Sequence, residues 1–154
     1  MKYPKTPRLK EFDYLGPYAY FVTLCCSKKC SYFTDQAVVD AILELLVECT
    51  HEYGFQILSY CSMPDHLHLL VQGEENSSLG KFIRVFKQKS EYYFSKKAHG
   101  FLWQRSYYDH VLRKEESIEE VAKYILENPV RKGLVDNFVD YPFLGSMTFD
   151  IKEP

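Results

Sequence analysis

The sequence lacks any apolar run long enough to cross a membrane, and it has no internal repeat, linker or low-complexity tract. Its first five residues contain no apolar segment of the kind found in secretion signals, so we expect a cytoplasmic protein with no membrane partner. Hydrophobic residues make up 46% and charged residues 26% of the chain, a composition that excludes general disorder. These features predict one folded domain over residues 1–154.

Cysteine occurs in an odd number and without the spacing of a common metal or redox motif. None of the five cysteines belongs to a C-x-x-C pair, and a chain of this length needs no disulfides for stability. Zinc at Cys25, Cys26 and Cys30 is disfavoured because their spacing matches no common zinc motif. Free thiols in a reducing compartment are therefore the expectation.

The charges are segregated, although the net charge of −2 by itself disfavours a nucleic-acid partner. All five charged residues from Asp35 to Glu52 are acidic, whereas six of the seven from Lys81 to Lys97 are basic. A basic helix predicts a local surface for nucleic acid, which a negative net charge does not exclude. We expect the basic helix to face a nucleic acid and the acidic helix to face away. The alternative is a chance segregation of two solvated helices.

Strand and helix patterns follow the order β-α-β-β-α-β, with one further helix. Thr34 or Asp35 can cap the first helix and Gly54 ends it, while Ser78 and Ser117 can cap the later helices. This order predicts an α+β, ferredoxin-like antiparallel sheet with an added C-terminal helix. The main predicted ranges are strands 19–25, 55–61, 66–72 and 107–112 and a helix over 36–53.

Prolines and glycines mark the irregular segments. Residues 63–65 predict a turn, because proline is excluded from the interior of a sheet. Pro129 predicts the end of the last helix, and Pro142 with Gly145 predicts an irregular tail.

Two histidines, His66 and His68, are separated by one leucine in a predicted strand. Because side chains alternate along a strand, both imidazoles are expected on one face. Two imidazoles held close together provide half of a divalent-metal site. The alternative is a half-buried strand with two polar residues turned outward.

Tyr124 and Asn128 are four residues apart on the last predicted helix and therefore share a face. The Asn128 carbonyl oxygen is a plausible third metal ligand. Tyr124 offers a phenol, and a tyrosine, with a free pKa of about 10, becomes a useful nucleophile only with help from a metal or a base. Taken singly, a boundary tyrosine and a helix-end asparagine explain both positions.

Three segments of the chain form a recognisable set. They are 63–71, Met-Pro-Asp-His-Leu-His-Leu-Leu-Val; 103–113, Trp-Gln-Arg-Ser-Tyr-Tyr-Asp-His-Val-Leu-Arg; and 124–135, Tyr-Ile-Leu-Glu-Asn-Pro-Val-Arg-Lys-Gly-Leu-Val. Together they resemble the single-strand DNA transposases of the insertion-sequence type, in the form of the REP-associated tyrosine transposases. The resemblance implies a ferredoxin-like fold, Tyr124 as the nucleophile, and His66, His68 and Asn128 around a divalent ion. Other members of the family have Gln as the third ligand, so Asn128 indicates the REP-associated group.

The same resemblance implies metal-dependent cleavage and joining of single-stranded, hairpin-containing DNA through a 5′-phosphotyrosine. Mg²⁺ or Mn²⁺ is favoured over Zn²⁺, because water and substrate oxygens must complete the coordination. Some relatives exchange the helix that carries the nucleophile between two protomers, so a homodimer is one of the expected states.

Seven further residues are candidate DNA contacts with structural alternatives. Trp103 could stack on a base or pack in the core. His110 could orient a phosphate or be a strand histidine with a local partner. The remaining candidates lie on or after the basic helix: Lys81, Arg84, Lys87, Gln88 and Arg105.

Two other functions fit the order of elements. A non-catalytic module of RNA-recognition type has the same topology, but the sequence has no RNP-like aromatic run and this function leaves the histidines unexplained. A replication-initiating or relaxase nickase uses the same histidine arrangement, but the usual chain order of its nucleophile and histidines differs.

Overall fold

A five-stranded antiparallel sheet lies at the centre of the protein. The computed structural model describes residues 12–148, so the interpretation of the first five residues lies outside the described part. The strands are β1 (Ala19–Cys25), β2 (Phe55–Met63), β3 (His66–Gly73), β4 (Tyr108–Val111) and β5 (Leu144–Gly145), and the helices are α1 (Gln36–Tyr53), α2 (Leu79–Ser95), α3 (Ile118–Leu126) and α4 (Asn128–Arg131). The strand order in the sheet is β4-β1-β3-β2-β5. The order β1-α1-β2-β3-α2-β4-α3 along the chain confirms the predicted α+β class and its added helix.

Local hydrogen bonds set the ends of the helices. The side chain of Asp35 accepts from the Ala37 amide at 2.9 Å and starts α1, and Gly54, with φ of 75°, ends it in the left-handed region. Ser78 caps α2 by accepting from the Lys81 amide at 3.3 Å. These boundaries agree with the prediction because capping chemistry depends only on neighbouring residues.

The sheet separates two hydrophobic cores. Helices α1 and α2 pack side by side on one face, against Val22 and Leu69 among others, whereas α3 packs on the other face against Phe21 and Leu70. Strand alternation therefore places His66 and His68 on the α3 face, because Leu67 between them belongs to the core under α1 and α2.

Three predicted boundaries are wrong. Strand β2 continues to Met63, so the turn consists of Pro64 and Asp65 alone. The tail is not wholly irregular, because β5 pairs with β2 at the sheet edge. Helix α3 ends at Leu126, and a separate short helix follows with Pro129 in its first turn, where the missing proline amide costs nothing.

The five cysteines are free, as predicted, and four of them are buried. Burial raises the pKa of Cys26 to about 12 and that of Cys61 to about 12, so both thiols are unreactive. Within residues 12–148, no helix is both long enough and apolar enough to cross a bilayer.

Candidate active site

The two imidazoles of β3 point to a common position. The Nε2 atoms of His66 and His68 are 3.0 Å apart, and their rings meet edge to face at a centroid distance of 4.5 Å. Phe21 of β1 packs edge-on against the His68 ring, with the centroids 5.5 Å apart. The pair is therefore held rigidly by the sheet, as the strand alternation predicts.

The other ring nitrogen of each histidine has its own partner. Nδ1 of His66 lies 2.7 Å from the Asp65 carboxylate, and Nδ1 of His68 lies 2.9 Å from the Thr23 hydroxyl, which the pairing of β1 with β3 places opposite it. An ionised carboxylate can only accept, so the proton of a neutral His66 sits on Nδ1 and the Nε2 lone pair faces the common position. Sequence motifs include Asp65 but give no sign of Thr23.

Tyr124 lies across from the histidines, half-buried on α3, with its ring 6.3 Å from that of Phe21. The Arg131 guanidinium stacks over the Tyr124 ring at 3.7 Å, and its Nη2 donates to the Tyr124 carbonyl at 2.7 Å. Both contacts fix the ring relative to the histidines. Arg131 belongs to the third family-like segment, but no sequence pattern singles it out as a site residue.

Asn128 is buried beside the histidines, with 5% of its surface exposed. The prediction that Tyr124 and Asn128 share one continuous helix is wrong, because α3 ends at Leu126 and Asn128 begins α4. The asparagine nevertheless lines the same cavity as Tyr124. Its Nδ2 is 3.5 Å from His66 Nε2, and its Oδ1 is 3.4 Å from Arg131 Nη2.

A cavity of about 830 Å³ connects these groups. Three cationic side chains line it, namely Lys29, Arg131 and Lys132, against the single carboxylate of Asp65, which already contacts His66. A cavity with this balance of charge suits an anionic ligand. Lys28 and Lys29 make residues 28–31 a basic loop in the sequence, but no motif assigns this loop to the site.

Three other tyrosines are harder to ionise than an ordinary phenol. Burial is the main cause that raises the pKa of Tyr20, of Tyr60 and of Tyr141 above the usual range. The Tyr141 hydroxyl also donates to the Ser62 carbonyl at 2.6 Å. None of these three side chains lines the cavity that contains the histidines.

The predicted DNA contacts on α2 lie on the sheet face opposite the histidines. Lys87 donates to the backbone carbonyls of Gln104 and Arg105, at 2.8 and 3.3 Å, and so fastens that segment to the helix. Lys89 pairs with Glu52 of α1 at 3.4 Å, so the acidic and basic helices lie side by side. The structure does not bring α2 to the cavity, and its DNA contacts stay predictions. The exposed candidates are Lys81, Arg84, Gln88 and Arg105.

The Trp103 side chain belongs to the core and is not placed to stack on a base. It is 4% exposed and packs against Phe33 and Phe86. Its indole Nε1 donates to Ser90 Oγ at 2.8 Å, which satisfies its one donor. The packing alternative is therefore correct for this residue.

His110 has a structural partner on the same sheet face as the histidine pair. Its Nε2 lies 2.9 Å from both carboxylate oxygens of Glu116. Burial alone would raise the pKa of Glu116, but hydrogen bonds from the Arg113 amide and from His110 outweigh it, and the pKa is lowered. This contact supports the alternative of a strand histidine with a local partner.

A sequence model of the family described as "Transposase IS200 like" matches residues 17–128 of the chain. The chain belongs to this family. The matched range includes the histidine pair, Tyr124 and Asn128, so the cavity is the candidate active site of a DNA-cleaving enzyme.

Two similar proteins narrow the relationship to REP-associated tyrosine transposases. A Haemophilus influenzae protein, provisionally named as one, is 28% identical over 156 residues, covering 93% of this chain and 86% of its own length. The REP-associated tyrosine transposase of Escherichia coli K12 is 25% identical over 101 residues, covering 64% of this chain and 58% of its own length. The resemblance to this family is thus confirmed.

Solved structures share the fold. The structure of a REP-associated tyrosine transposase bound to a REP hairpin has a TM-score of 0.73 at 18% identity, covering 90% of this chain and 82% of that one. A Deinococcus radiodurans protein, provisionally named as a transposase, has a TM-score of 0.55 at 21% identity. The match covers 77% of this chain and 95% of that one. Because both identities are below 25%, these two structures support the fold of this chain alone.

Proposed function

We propose that this transposase cleaves single-stranded, hairpin-containing DNA and rejoins it through a covalent bond between Tyr124 and a 5′ phosphate. The observation that carries the proposal is the cavity shared by Tyr124, Asn128 and the histidine pair, whose Nε2 atoms face one position. The similar protein bound to a REP hairpin supports a hairpin substrate.

The spacing of the histidine pair fits a divalent cation. The Nε2 atoms of His66 and His68 are 3.0 Å apart, close enough for both imidazoles to bind one ion. Mg²⁺ or Mn²⁺ is favoured over Zn²⁺ because water and substrate oxygens would have to complete the coordination. Among residues 12–148, no three His, Cys, Asp or Glu side chains form a metal cluster, so Asn128, water and substrate would complete the set.

Asn128 would bind through its carbonyl oxygen, which requires its amide to turn. In the structure the amide nitrogen faces His66, and the oxygen faces Arg131. A half-turn of the amide exchanges the two atoms and ends the contact between Oδ1 and Arg131. The guanidinium keeps its hydrogen bond to the Tyr124 carbonyl, so the tyrosine stays oriented.

Tyr124 supplies the attacking atom of the proposed reaction. A divalent cation, when bound, would neutralise charge on the non-bridging oxygens of the scissile phosphate. The Tyr124 Oη loses its proton to water and bonds to phosphorus, while the bond from phosphorus to the 3′ oxygen breaks. The 3′ oxygen takes up a proton and leaves as a free 3′-OH.

The covalent product allows the reaction to run backwards. Because the phosphotyrosine conserves the free energy of the broken ester, attack by another 3′-OH releases Tyr124 and joins two strands. The cationic side chains of Lys29, Arg131 and Lys132 favour binding of the phosphate backbone throughout.

The direct test uses labelled single-stranded hairpins with a pool of flanking sequences, in Mg²⁺ or Mn²⁺. A protein–DNA adduct that survives a denaturing gel is the expected result, together with a DNA fragment carrying a free 3′-OH. Cleavage that leaves no adduct, or no cleavage of any hairpin in either cation, would contradict the proposal.

A further inference from the structure

The chain after β1 makes a tight turn that contains two lysines in the left-handed region. Lys28 and Lys29 each have φ of 55°, and the Cys30 amide donates to the Ser27 carbonyl at 3.1 Å. Positive φ at both central residues, closed by this hydrogen bond, is the pattern of a type I′ turn. We call residues 27–30 the lysine turn.

Lysine is a poor choice for these positions. Type I′ turns strongly favour Asn-Gly, because a side chain in the left-handed region places its Cβ too close to the backbone. Each non-glycine residue held there costs on the order of 1 kcal/mol. Among residues 12–148, the only other non-glycine residue with positive φ is Tyr14, so this strain is concentrated in the turn.

The turn is fixed to the segment that carries the histidines. The amide of Cys26, immediately before the turn, donates to the Asp65 carbonyl at 2.8 Å, and the Ser27 amide donates to the Leu102 carbonyl at 2.8 Å. The Asp65 side chain in turn contacts His66. The position of the lysines is therefore coupled to the position of the histidine pair by short, direct contacts.

Lys29 lines the cavity from the β1 side, and Arg131 and Lys132 line it from the α4 side. Cations from two separate segments thus border the space between the histidines and Tyr124. In the described part of the chain, the ion pairs involve neither lysine of the turn.

We propose that the lysine turn is a phosphate-binding element that holds the backbone of the single strand beside the scissile bond, opposite Arg131 and Lys132. The strain is retained because an Asn-Gly turn would be more stable but would carry no charge. The inference rests on the proposed function, since its ligand is the strand that Tyr124 would cleave.

Two double variants separate charge from strain. Lys28→Asn with Lys29→Gly supplies the favoured turn residues and removes both charges, whereas Lys28→Gln with Lys29→Gln removes the charges and keeps the strain. We expect the first variant to raise Tm by at least about 2 °C and the second to leave it unchanged. Both variants should bind an unpaired fluorescent oligonucleotide more weakly than the wild type.

The salt dependence of DNA binding measures how many phosphate contacts each variant has lost. For single strands, each phosphate contact contributes about 0.7 to the slope of log K against log salt, so both variants should lose roughly that amount per lysine in contact. The matched control is Arg113→Gln with Lys114→Gln, which removes two exposed adjacent cations beside the N-terminus of α3. The control should keep the full slope.

A wild-type slope in both turn variants, or an equal loss in the control, would overturn the inference. An unchanged or lowered Tm in the Asn-Gly variant would overturn the claim that the lysines are kept at a cost in stability. Binding and Tm need no cleavage, so a wild-type protein that forms no DNA adduct would refute the proposed function alone.

Discussion

The guanidinium carbon of Arg131 lies 3.7 Å from the centroid of the Tyr124 ring, and the same side chain reaches the Tyr124 carbonyl and the Asn128 oxygen. One residue of α4 therefore fixes the proposed nucleophile across the break after α3, and in the absence of a metal it also contacts Asn128. A cation over a tyrosine face contributes about 0.5–2 kcal/mol, depending on its exposure. We infer that Arg131 is a positioning residue for Tyr124.

Replacing Arg131 with lysine tests this role. Lysine keeps the charge but lacks the planar guanidinium that can stack on a ring and donate two hydrogen bonds at once. We expect Arg131→Lys to lower the rate of adduct formation at saturating DNA by about tenfold, a change of about 1.4 kcal/mol, with DNA affinity near that of the wild type.

Lys132→Ala is the matched control, because Lys132 lines the same cavity, whereas Arg131 is the residue that stacks on the Tyr124 ring. It should weaken DNA binding and leave the saturated rate near the wild-type value. If Arg131→Lys behaves in the same way as this control, Arg131 is a DNA contact and does not position the tyrosine.

The histidine pair predicts a measurable metal affinity in the absence of DNA. A ligand that binds only the folded state stabilises it, by about 2.7 kcal/mol at a hundred times its Kd. We expect Mn²⁺ to raise Tm by several degrees, and His68→Ala to abolish that rise together with adduct formation. DNA binding should largely survive in EDTA because it depends mainly on phosphate contacts. Full cleavage activity in EDTA would contradict the metal site.

Asp65 should tune the metal site through His66 and should not ligate the metal itself. Its carboxylate lies 2.7 Å from Nδ1 and fixes the tautomer that turns the Nε2 lone pair toward His68. Loss of such a partner commonly costs about 10–100-fold in metal affinity. Asp65→Ala should therefore weaken Mn²⁺ binding in a titration by that range, and Asp65→Asn by less, since an amide oxygen can still accept. Equal affinities in all three proteins would refute the role.

The sequence predicts those parts of the site that depend on local periodicity. The alternation of side chains along β3 is sufficient to place His66 and His68 on one face, because Leu67 between them belongs to the core on the other face. Thr23 cannot be predicted in this way, because its contact with His68 depends on the register between β1 and β3. That register is a long-range property of the sheet.

Three other features could not be predicted, because the residue types at these positions are typical of different structures or give no pattern. Two lysines do not indicate a type I′ turn, so the basic loop is visible in the sequence but its strained geometry is not. The two-residue strand β5 is too short for a periodic pattern. The break between α3 and α4 follows from Pro129, but proline predicts only that a helix ends nearby.

Tyr124 is predicted to be the residue that becomes linked to DNA. It lines the cavity with the histidine pair, whereas burial raises the pKa of Tyr20 and of Tyr141 and disfavours their ionisation. Tyr124→Phe keeps the ring and its stacking with Arg131 but removes the attacking oxygen. Folding, Mn²⁺ binding and DNA affinity should stay near the wild type, while the covalent adduct disappears.

Tyr108 provides the sharpest control for this assignment. It pairs with Thr23 across β1 and β4, which places it on the same sheet face as His68, and 37% of its surface is exposed. Tyr108→Phe should still form the adduct at a rate near that of the wild type, because its side chain does not line the cavity with Tyr124. Peptide mapping of the trapped adduct gives the direct answer, and a nucleotide attached to Tyr108 instead of Tyr124 would refute the proposed nucleophile.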